Sequence, residues 1–204
     1  MRLVAYFARH GETSLNKENR FRGRLDVDLS AEGMAQAAGI GKHLANVQFS
    51  QVFVSPKKRA RHTAAIALRG RKLDTQILPD LDSYDIGDLA GEPKNAENLE
   101  TLKYYQQHPN EPCPGGESLI QFRKDVQPLI AMAIRKGDEA GAPTLTFAHS
   151  STIHEVSNML HRDHQAVKIR PGGIVAVFKT NAGGYIARPI LKESKPHQDR
   201  DIGS

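Results

Sequence analysis

The sequence predicts an α/β fold in which a doubly wound, mostly parallel sheet carries helices on both faces. Three observations support this prediction. Short apolar runs rich in Val, Phe and Tyr have the length of buried strands, and amphipathic helical segments separate most of them. Near the C-terminal end, two such runs flank the turn signal Asn181-Ala-Gly-Gly184, which indicates an edge hairpin. The chain has 204 residues, so we expect one domain over residues 1–191 and a loose polar tail over 192–204.

The individual elements follow from local signals. Ser30 is a predicted N-cap, and Ser55 with Pro56 is typical of a helix start. Residues 137–143 are expected to form a surface loop after a long amphipathic helix. The predicted strands are 3–8, 51–54, 74–78, 144–148, 173–179 and 185–188, and the predicted helices are 30–46, 55–68, 95–107, 118–135 and 153–161.

Residues 91–115 differ in texture from the rest of the chain. They hold few apolar residues, and this part of the sequence contains several prolines and glycines, so we do not expect it to form part of the hydrophobic core. Long segments of this kind usually cover a site rather than build the core. We therefore expect an inserted lid segment over the site.

Two predicted strands end at once in a histidine. The first strand runs into Arg9, His10 and Gly11, and the strand 144–148 runs into His149. Arg59 follows the second strand on the next predicted helix. Because active sites of α/β sheets lie beyond the carboxyl ends of the strands, these groups are expected to converge. Two imidazoles and two guanidinium groups would repel one another without an anion among them, which favours phosphoryl transfer over acyl transfer.

The same residues carry a family resemblance. Arg9-His10-Gly11-Glu12-Thr13, followed by Asn16, is similar to the signature of the histidine phosphatase superfamily, the phosphoglycerate mutase-like proteins. Ser55-Pro-Lys-Lys-Arg59-Ala-Arg-His-Thr63-Ala64 resembles the second block of that family. Phe147-Ala-His149 resembles the third block, and Pro114-Gly-Gly-Glu-Ser118 resembles its usual helix start. The blocks stand in the family's order over residues 2 to about 177.

The resemblance implies roles for these residues. His10 would be the phosphorylated nucleophile, Arg9, Arg59 and His149 would bind phosphate, and Asn16 would make a lesser phosphate contact. His149 would also donate to a phosphate oxygen during the reaction. With this much positive charge from side chains, we expect no metal and no cofactor.

The sequence departs from the family at the proton donor. The corresponding family segment usually reads Leu-x-Glu-x-x-x-Gly, and this chain places Ser83 at the glutamate position. Serine is too weak an acid for the task. Asp85 would project to the same side of an extended segment, so we predict it as the donor, with Asp82 and Asp88 as rivals. The alternative is that Asp85 only caps the turn at Gly87.

The choice among family members is less direct. Residues 16–30 resemble true phosphoglycerate mutases, but His149 is followed by Ser150-Ser151 where mutases have Gly-Asn. Within the insertion only Lys94 and Lys103 are cationic, whereas a mutase must retain a bisphosphorylated intermediate. These features favour a phosphatase acting on a small phosphomonoester over a mutase. A domain that binds phosphate without catalysis is the third alternative, favoured by Ser83.

Composition limits the other function classes. The net charge of +5 comes from short basic groups near acidic residues, with no nucleic-acid-binding motif, so no nucleic-acid partner is expected. No apolar stretch approaches the roughly 20 residues of a membrane span. The one cysteine, Cys113, fits a reducing compartment and predicts the cytoplasm. His154, His161 and His164 are interpreted as a helix-end surface rather than a metal cluster. The oligomeric state is left open.

Overall fold

The structure is a computed structural model that describes residues 1–160 and 169–191. Its centre is a mixed sheet of six strands in the order β3-β2-β4-β1-β5-β6. β1, β2, β3 and β4 are parallel, whereas β5 and β6 form an antiparallel hairpin beside β1. The strands are β1 (Arg2–Arg9), β2 (Gln51–Val54), β3 (Thr75–Ile77), β4 (Thr144–Ala148), β5 (Ile174–Lys179) and β6 (Tyr185–Leu191). The predicted mostly parallel α/β sheet with an edge hairpin is confirmed.

Helices cover both faces of this sheet. The helices are α1 (Ser14–Lys17), α2 (Ala31–His43), α3 (Lys58–Ala67), α4 (Ala96–Gln107), α5 (Leu119–Ala140) and α6 (Ser150–Leu160), with 3₁₀ turns at Pro79–Leu81 and Gly87–Leu89. α2 and α3 pack on one face, where Ile40 and Ala60 join Tyr6 in one buried cluster. α5 and α6 pack on the other, where Phe122 and Ile153 lie with Phe7. Side chains alternate between the faces along β1, so each face of the central strand has its own core.

The pairing of β1 with β4 sets the positions of the two strand-end histidines. Arg9 lies opposite Ala148 in the parallel ladder, and the His10 amide donates to the Ala148 carbonyl at 3.1 Å. His10 and His149 therefore leave neighbouring strands at the same level. The rings end with their centroids 5.4 Å apart.

The long helix α5 continues past the predicted end at residue 135. It includes Gly137, which is buried, and is capped by Gly141 in the left-handed conformation with φ of 68°. A Cβ on Gly137 would overlap the carbonyl oxygen of Val4. The glycine therefore lets α5 lie directly on β1, and the expected surface loop starts later than predicted.

Two helix starts also differ from the prediction. α3 begins at Lys58, and the Lys58 amide donates to Asp26 Oδ1 at 2.8 Å instead of to a cap on Ser55. α6 begins directly after His149, so Ser150 and Ser151 form its first turn. Ser30, by contrast, caps α2 as predicted and accepts from the Gly33 amide at 3.1 Å. The predicted tail, His161 and His164 lie outside the described residues.

Candidate active site

A cavity of about 230 Å³ opens beyond the carboxyl ends of β1 and β4. His10, His149 and Arg59 line it, as the sequence predicts. The inserted segment forms part of its wall through Lys94 and two residues of α4, Leu102 and Gln106. The insertion therefore borders the site as expected, whereas its movement as a lid stays a prediction.

His10 is held as a neutral imidazole with one free nitrogen. Its side chain is 1% exposed, and Nδ1 lies 2.7 Å from the Gly11 carbonyl oxygen. Since a carbonyl only accepts, Nδ1 carries the proton and Nε2 keeps its lone pair. Nε2 is buried and has no partner among the described residues. Burial, followed by the nearby charge of Arg22, places the His10 pKa well below its usual value, so the imidazole is neutral and its Nε2 lone pair is available.

Ser55, which the sequence predicted as part of a helix start, positions His149. Ser55 Oγ lies 2.7 Å from His149 Nε2, and both residues are buried. Ser55 Oγ also accepts from the Lys57 amide at 3.4 Å, so its own proton is available to Nε2. When Nε2 of a neutral His149 accepts this hydrogen bond, the ring proton lies on Nδ1. Nδ1 can then donate a hydrogen bond into the cavity. Burial and Arg59 place the His149 pKa well below its usual value.

Arg59 is the largest fully buried side chain in the described part of the chain. Its guanidinium donates to the carbonyl oxygens of Leu25 at 2.6 Å and Gly23 at 2.9 Å. These bonds orient the fork, and Nε has no described partner. Burial lowers the Arg59 pKa to about 10, while Asp82 and Asp26 act in the opposite direction.

Arg9 and Asn16 lie at the margin of the site. Arg9 Nη1 donates to the Ile169 carbonyl at 2.7 Å, and burial followed by the charge of Arg59 lowers its pKa to about 10. Asn16 Oδ1 accepts from the Thr13 amide at 3.1 Å and from the Thr13 hydroxyl at 3.0 Å. Its carbonyl end therefore stabilises the turn after His10. Neither Arg9 nor Asn16 is among the described residues that line the cavity.

Gly11 lets the turn after β1 pack closely against α2. A Cβ on Gly11 would overlap the carbonyl oxygen of Gly33 in α2, and a Cβ on Gly33 would overlap that of Glu12. The two glycines let the nucleophile-bearing turn touch α2 through backbone alone. The Gly11 amide donates to Thr63 Oγ1 at 3.0 Å, which ties the turn to α3 as well.

Two cations in the cavity wall were not assigned to the site from the sequence. Arg22 is 9% exposed, and its Nη1 has no described hydrogen-bond partner. Lys94, counted only as an insertion cation, has its Nζ 5.6 Å from the centroid of the Phe21 ring. The available signal was the alternation of Arg20, Arg22 and Arg24, which gave no indication that only the middle one would be buried in the site wall.

The predicted donor segment presents its serine to the cavity. Ser83 lines the wall with Tyr84, whereas the Asp85 carboxylate is not among the described lining residues. Asp85 Oδ1 accepts from the Gly87 amide at 3.0 Å, and Oδ2 lies 3.5 Å from Arg24 Nη1. This is the turn-capping geometry that the sequence left as the alternative. The assignment of Asp85 as the donor stays a prediction.

The site is strongly cationic. No carboxylate lines the cavity among the described residues, whereas Arg22, Arg59 and Lys94 do. The first turn of α6 also directs its amide dipoles toward this space, with Ser150 and Ser151 in the wall. A dianion would relieve the repulsion among these groups, so the geometry is suited to a phosphate. Within residues 1–160 and 169–191, no three His, Cys, Asp or Glu side chains form a metal-binding group.

Comparison with known proteins shows which family and which solved structures this chain is similar to. A family model described as the histidine phosphatase superfamily (branch 1) matches residues 5–174. A 2,3-bisphosphoglycerate-dependent phosphoglycerate mutase of Rhizobium rhizogenes is 31% identical over 191 residues, which cover 88% of this chain and 90% of the mutase. The fructose-2,6-bisphosphatase TIGAR of Xenopus tropicalis is 37% identical over 127 residues, or 60% of this chain. That match spans 46% of the length of TIGAR.

Solved structures share the fold. The mycobacterial glucosyl-3-phosphoglycerate phosphatase Rv2419c, solved with VO3, superposes with a TM-score of 0.77 at 21% identity. The alignment covers 96% of this chain and 100% of the phosphatase. The protein TTHB049 of Thermus thermophilus gives a TM-score of 0.70 at 28% identity over 92% of this chain and 99% of its own.

Proposed function

Because the chain belongs to the histidine phosphatase superfamily (branch 1), we propose that it hydrolyses small phosphomonoesters through a phosphohistidine on His10. The observation that carries the proposal is the state of His10. Its Nδ1 proton is committed to the Gly11 carbonyl, and Nε2 is an unpartnered lone pair at the wall of a cationic cavity. A neutral imidazole in such a site attacks phosphorus and splits one difficult displacement into two easier ones.

In the first step, Nε2 of His10 forms a bond to phosphorus as the ester oxygen departs. Arg59, which lines the cavity, neutralises charge on the phosphoryl oxygens, Arg9 adds its positive charge from the margin of the site, and His149 donates a hydrogen bond to one of these oxygens. In the second step, the oxygen of a water molecule attacks phosphorus and the N–P bond breaks, while one proton of the water passes to the group that protonated the leaving oxygen. His10 recovers its lone pair, and inorganic phosphate leaves.

The leaving oxygen needs a proton when the substrate is an alkyl phosphate. We retain Asp85 for this role because it is two residues from Ser83, the position at which the family carries its acid. To donate, the Asp85 carboxyl would have to release the Gly87 amide, now 3.0 Å away, and move past Arg24. Asp82, which precedes Ser83 in sequence, is a rival, and its Oδ2 lies 3.2 Å from Lys57 Nζ.

A mutase is the second candidate, and two observations favour it. The Rhizobium relative covers most of this chain, and Arg22 adds a buried cation to the cavity beyond those of the insertion. The phosphatase is supported by the small cation count of the insertion and by the TIGAR match. Incubation with 3-phosphoglycerate separates the two. Release of inorganic phosphate indicates hydrolysis, whereas formation of 2-phosphoglycerate with added 2,3-bisphosphoglycerate indicates a mutase.

The nucleophile assignment is tested by trapping. Rapid quench of the enzyme with ³²P-labelled phosphate ester, without acid, should give an acid-labile and base-stable adduct on the peptide that contains His10. His10→Ala should form no adduct and show no turnover. His43→Ala is the control, because His43 is exposed at the end of α2. Normal turnover by His10→Ala would overturn the proposal, and an inactive wild-type protein would favour a phosphate-binding domain.

The cellular setting follows from the same proposal. None of the described helices is long and apolar enough to cross a membrane. We propose a cytoplasmic enzyme whose partner is a small phosphorylated substrate rather than a nucleic acid. The short basic groups of the sequence and the reducing environment implied by one cysteine support this placement.

A further inference from the structure

The turn that carries His10 is anchored through its backbone amides. Three consecutive amides donate to three different elements: His10 to the Ala148 carbonyl of β4 at 3.1 Å, Gly11 to Thr63 Oγ1 of α3 at 3.0 Å, and Glu12 to Gln36 Oε1 of α2 at 2.8 Å. Strand pairing explains the first bond, because it continues the ladder between β1 and β4. The other two bonds each depend on a single side chain of a helix.

Thr63 uses its hydroxyl group for two backbone partners. Oγ1 donates to the Arg59 carbonyl at 2.6 Å and accepts from the Gly11 amide at 3.0 Å, and the side chain is fully buried. Because a hydroxyl has one proton, donation to Arg59 leaves only its lone pairs for Gly11. One buried group thus joins the residue after His10 to the backbone of an arginine that lines the cavity.

Strand pairing does not by itself set the spacing between His10 and Arg59. β4 lies between β1 and β2 in the strand order. β1, which leads into His10, and β2, which leads into α3, are therefore not hydrogen-bonded to each other. The bond from Gly11 to Thr63 is a direct polar link across this gap.

Gly11 is also the residue that holds the His10 ring. Its carbonyl oxygen lies 2.7 Å from His10 Nδ1 and accepts the ring proton, while its amide is held by Thr63. Glycine has no Cβ, so its backbone explores more conformations than that of other residues. The direction of the Gly11 carbonyl therefore depends on its neighbours, and the bond to Thr63 restrains it at the amide end.

We propose that Thr63 is a positioning residue, whose hydroxyl holds Gly11 so that the Gly11 carbonyl keeps the His10 proton on Nδ1 and leaves the lone pair on Nε2. This inference rests on the proposed function, because it takes His10 as the nucleophile. Thr63 is not among the described residues that line the cavity, so it acts through the groups that it holds. Without this anchor, part of the population would carry the ring proton on Nε2, which then has no lone pair to attack phosphorus.

The tautomer of His10 is measured without turnover. Long-range ¹H–¹⁵N NMR spectra of the labelled free protein distinguish a protonated ring nitrogen from one that has a lone pair. In the neutral ring, wild-type His10 should show the Nδ1–H tautomer alone. Thr63→Val keeps the shape of the side chain and removes the hydroxyl, so we expect the Nε2–H tautomer in about one-tenth or more of the population. A wild-type tautomer spectrum in Thr63→Val would overturn the proposal.

Steady-state kinetics show whether the ring state matters for the reaction. Thr63→Val should lower kcat for p-nitrophenyl phosphate about tenfold or more and leave KM within roughly twofold, because the phosphate donors remain while the nucleophile is misplaced. Thr63→Ser keeps the hydroxyl and should restore both kcat and the Nδ1–H tautomer. A kcat of Thr63→Val equal to that of Thr63→Ser would contradict the role.

Gln36→Met is the matched control, because it removes the neighbouring hydrogen bond of the same turn at Glu12. It should lower Tm without changing the His10 tautomer or kcat. Equal losses of kcat in Gln36→Met and Thr63→Val would show that Thr63 only supports the turn in general. If Thr63→Val does not fold, Thr63→Cys replaces it, because sulfur is a weak acceptor of similar position. A Thr63→Cys protein with the tautomer and kcat of Thr63→Ser would overturn the proposal.

The two measurements keep this inference apart from the proposed function. Hydrolysis of p-nitrophenyl phosphate by the wild-type protein, with an unchanged tautomer in Thr63→Val, would reject the positioning role and leave the phosphatase intact. A shifted tautomer in Thr63→Val, with no turnover by the wild-type protein, would reject the phosphatase and leave Thr63 as the residue that holds the ring.

Discussion

Substitution of Asp85 by asparagine isolates proton donation from turn capping. Asp85 Oδ1 accepts from the Gly87 amide at 3.0 Å, and the amide oxygen of asparagine can make the same bond. Asp85→Asn should therefore melt close to the wild type, since the 3.5 Å ion pair with the exposed Arg24 that it loses contributes little. Asp85→Ala removes the bond, which contributes about 1 kcal/mol, and a chain of this size should lose roughly 2–4 °C in Tm. The pair of variants separates the turn-capping hydrogen bond from the proposed proton donation.

The catalytic magnitude depends on the leaving group. A general acid contributes about 10²–10⁴-fold when the leaving group is a poor one such as an alkoxide. We expect Asp85→Asn to lose that much kcat on an alkyl phosphate and very little on p-nitrophenyl phosphate, whose phenolate leaves unaided. Steady-state kinetics on both substrates makes the measurement, with Ser83→Ala as a nearly silent control. Equal losses on both substrates would show that Asp85 is structural, and a selective loss in Asp82→Asn or Asp88→Asn would move the acid there.

Three further outcomes follow from the geometry of the site. Arg59→Lys should lower kcat/KM for p-nitrophenyl phosphate at least about 10²-fold, because lysine cannot reproduce the planar guanidinium that two carbonyls orient. Full activity of this variant would show that Arg59 contributes only its positive charge. Ser55→Ala should lower kcat about tenfold, because it leaves His149 Nε2 without a hydrogen-bond partner. Ser50→Ala changes an exposed serine and should have no effect, and equal kcat values for the two variants would contradict a role of Ser55 in positioning His149. In an NMR titration of the free protein, His10 should stay neutral as the pH falls through 6.5, since its pKa lies well below that value, and Arg59→Met should raise this pKa; a cationic His10 at pH 6.5 would contradict the burial argument.

The sequence predicts the central part of the site because its signals are local. Two apolar runs that end in histidine specify two buried strands, and parallel pairing brings their carboxyl ends to one edge. The structure places His10, His149 and Arg59 at one cavity as expected. Arg9 remains next to His10 in sequence, but its guanidinium bonds to the Ile169 carbonyl instead of lining the wall.

Other features depend on contacts that a sequence pattern does not record. Ser55 before Pro56 satisfies the rules for a helix cap, but a residue from a distant segment, Asp26, takes that task and frees Ser55 for His149. Gly137 is typical of a loop, yet it lies inside α5, at a position where β1 leaves no room for a side chain. Both errors arise where tertiary contact overrides local propensity.

The predicted donor, Asp85, and the buried cation Arg22 show the same limit in the site itself. An extended segment predicts that Asp85 and Ser83 share a side, but the turn at Gly87 gives Asp85 a local hydrogen bond instead. Arg22 stands between two other arginines, and only burial distinguishes it. Closeness to a motif in sequence therefore predicts which side chains line the site less well than the path of the backbone does.

The site can form only after β1 and β4 have paired. His10 and His149 are far apart along the chain, and their 5.4 Å spacing exists only once the two strands have paired in register. Pairing of this kind closes a long loop and forms slowly relative to local helices. A phosphate analogue that binds both histidines should recognise only chains in which this step is complete, and it should raise Tm by mass action. Ligand binding thus doubles as a probe of long-range strand order, and a variant that binds the analogue has by that fact assembled the centre of its sheet.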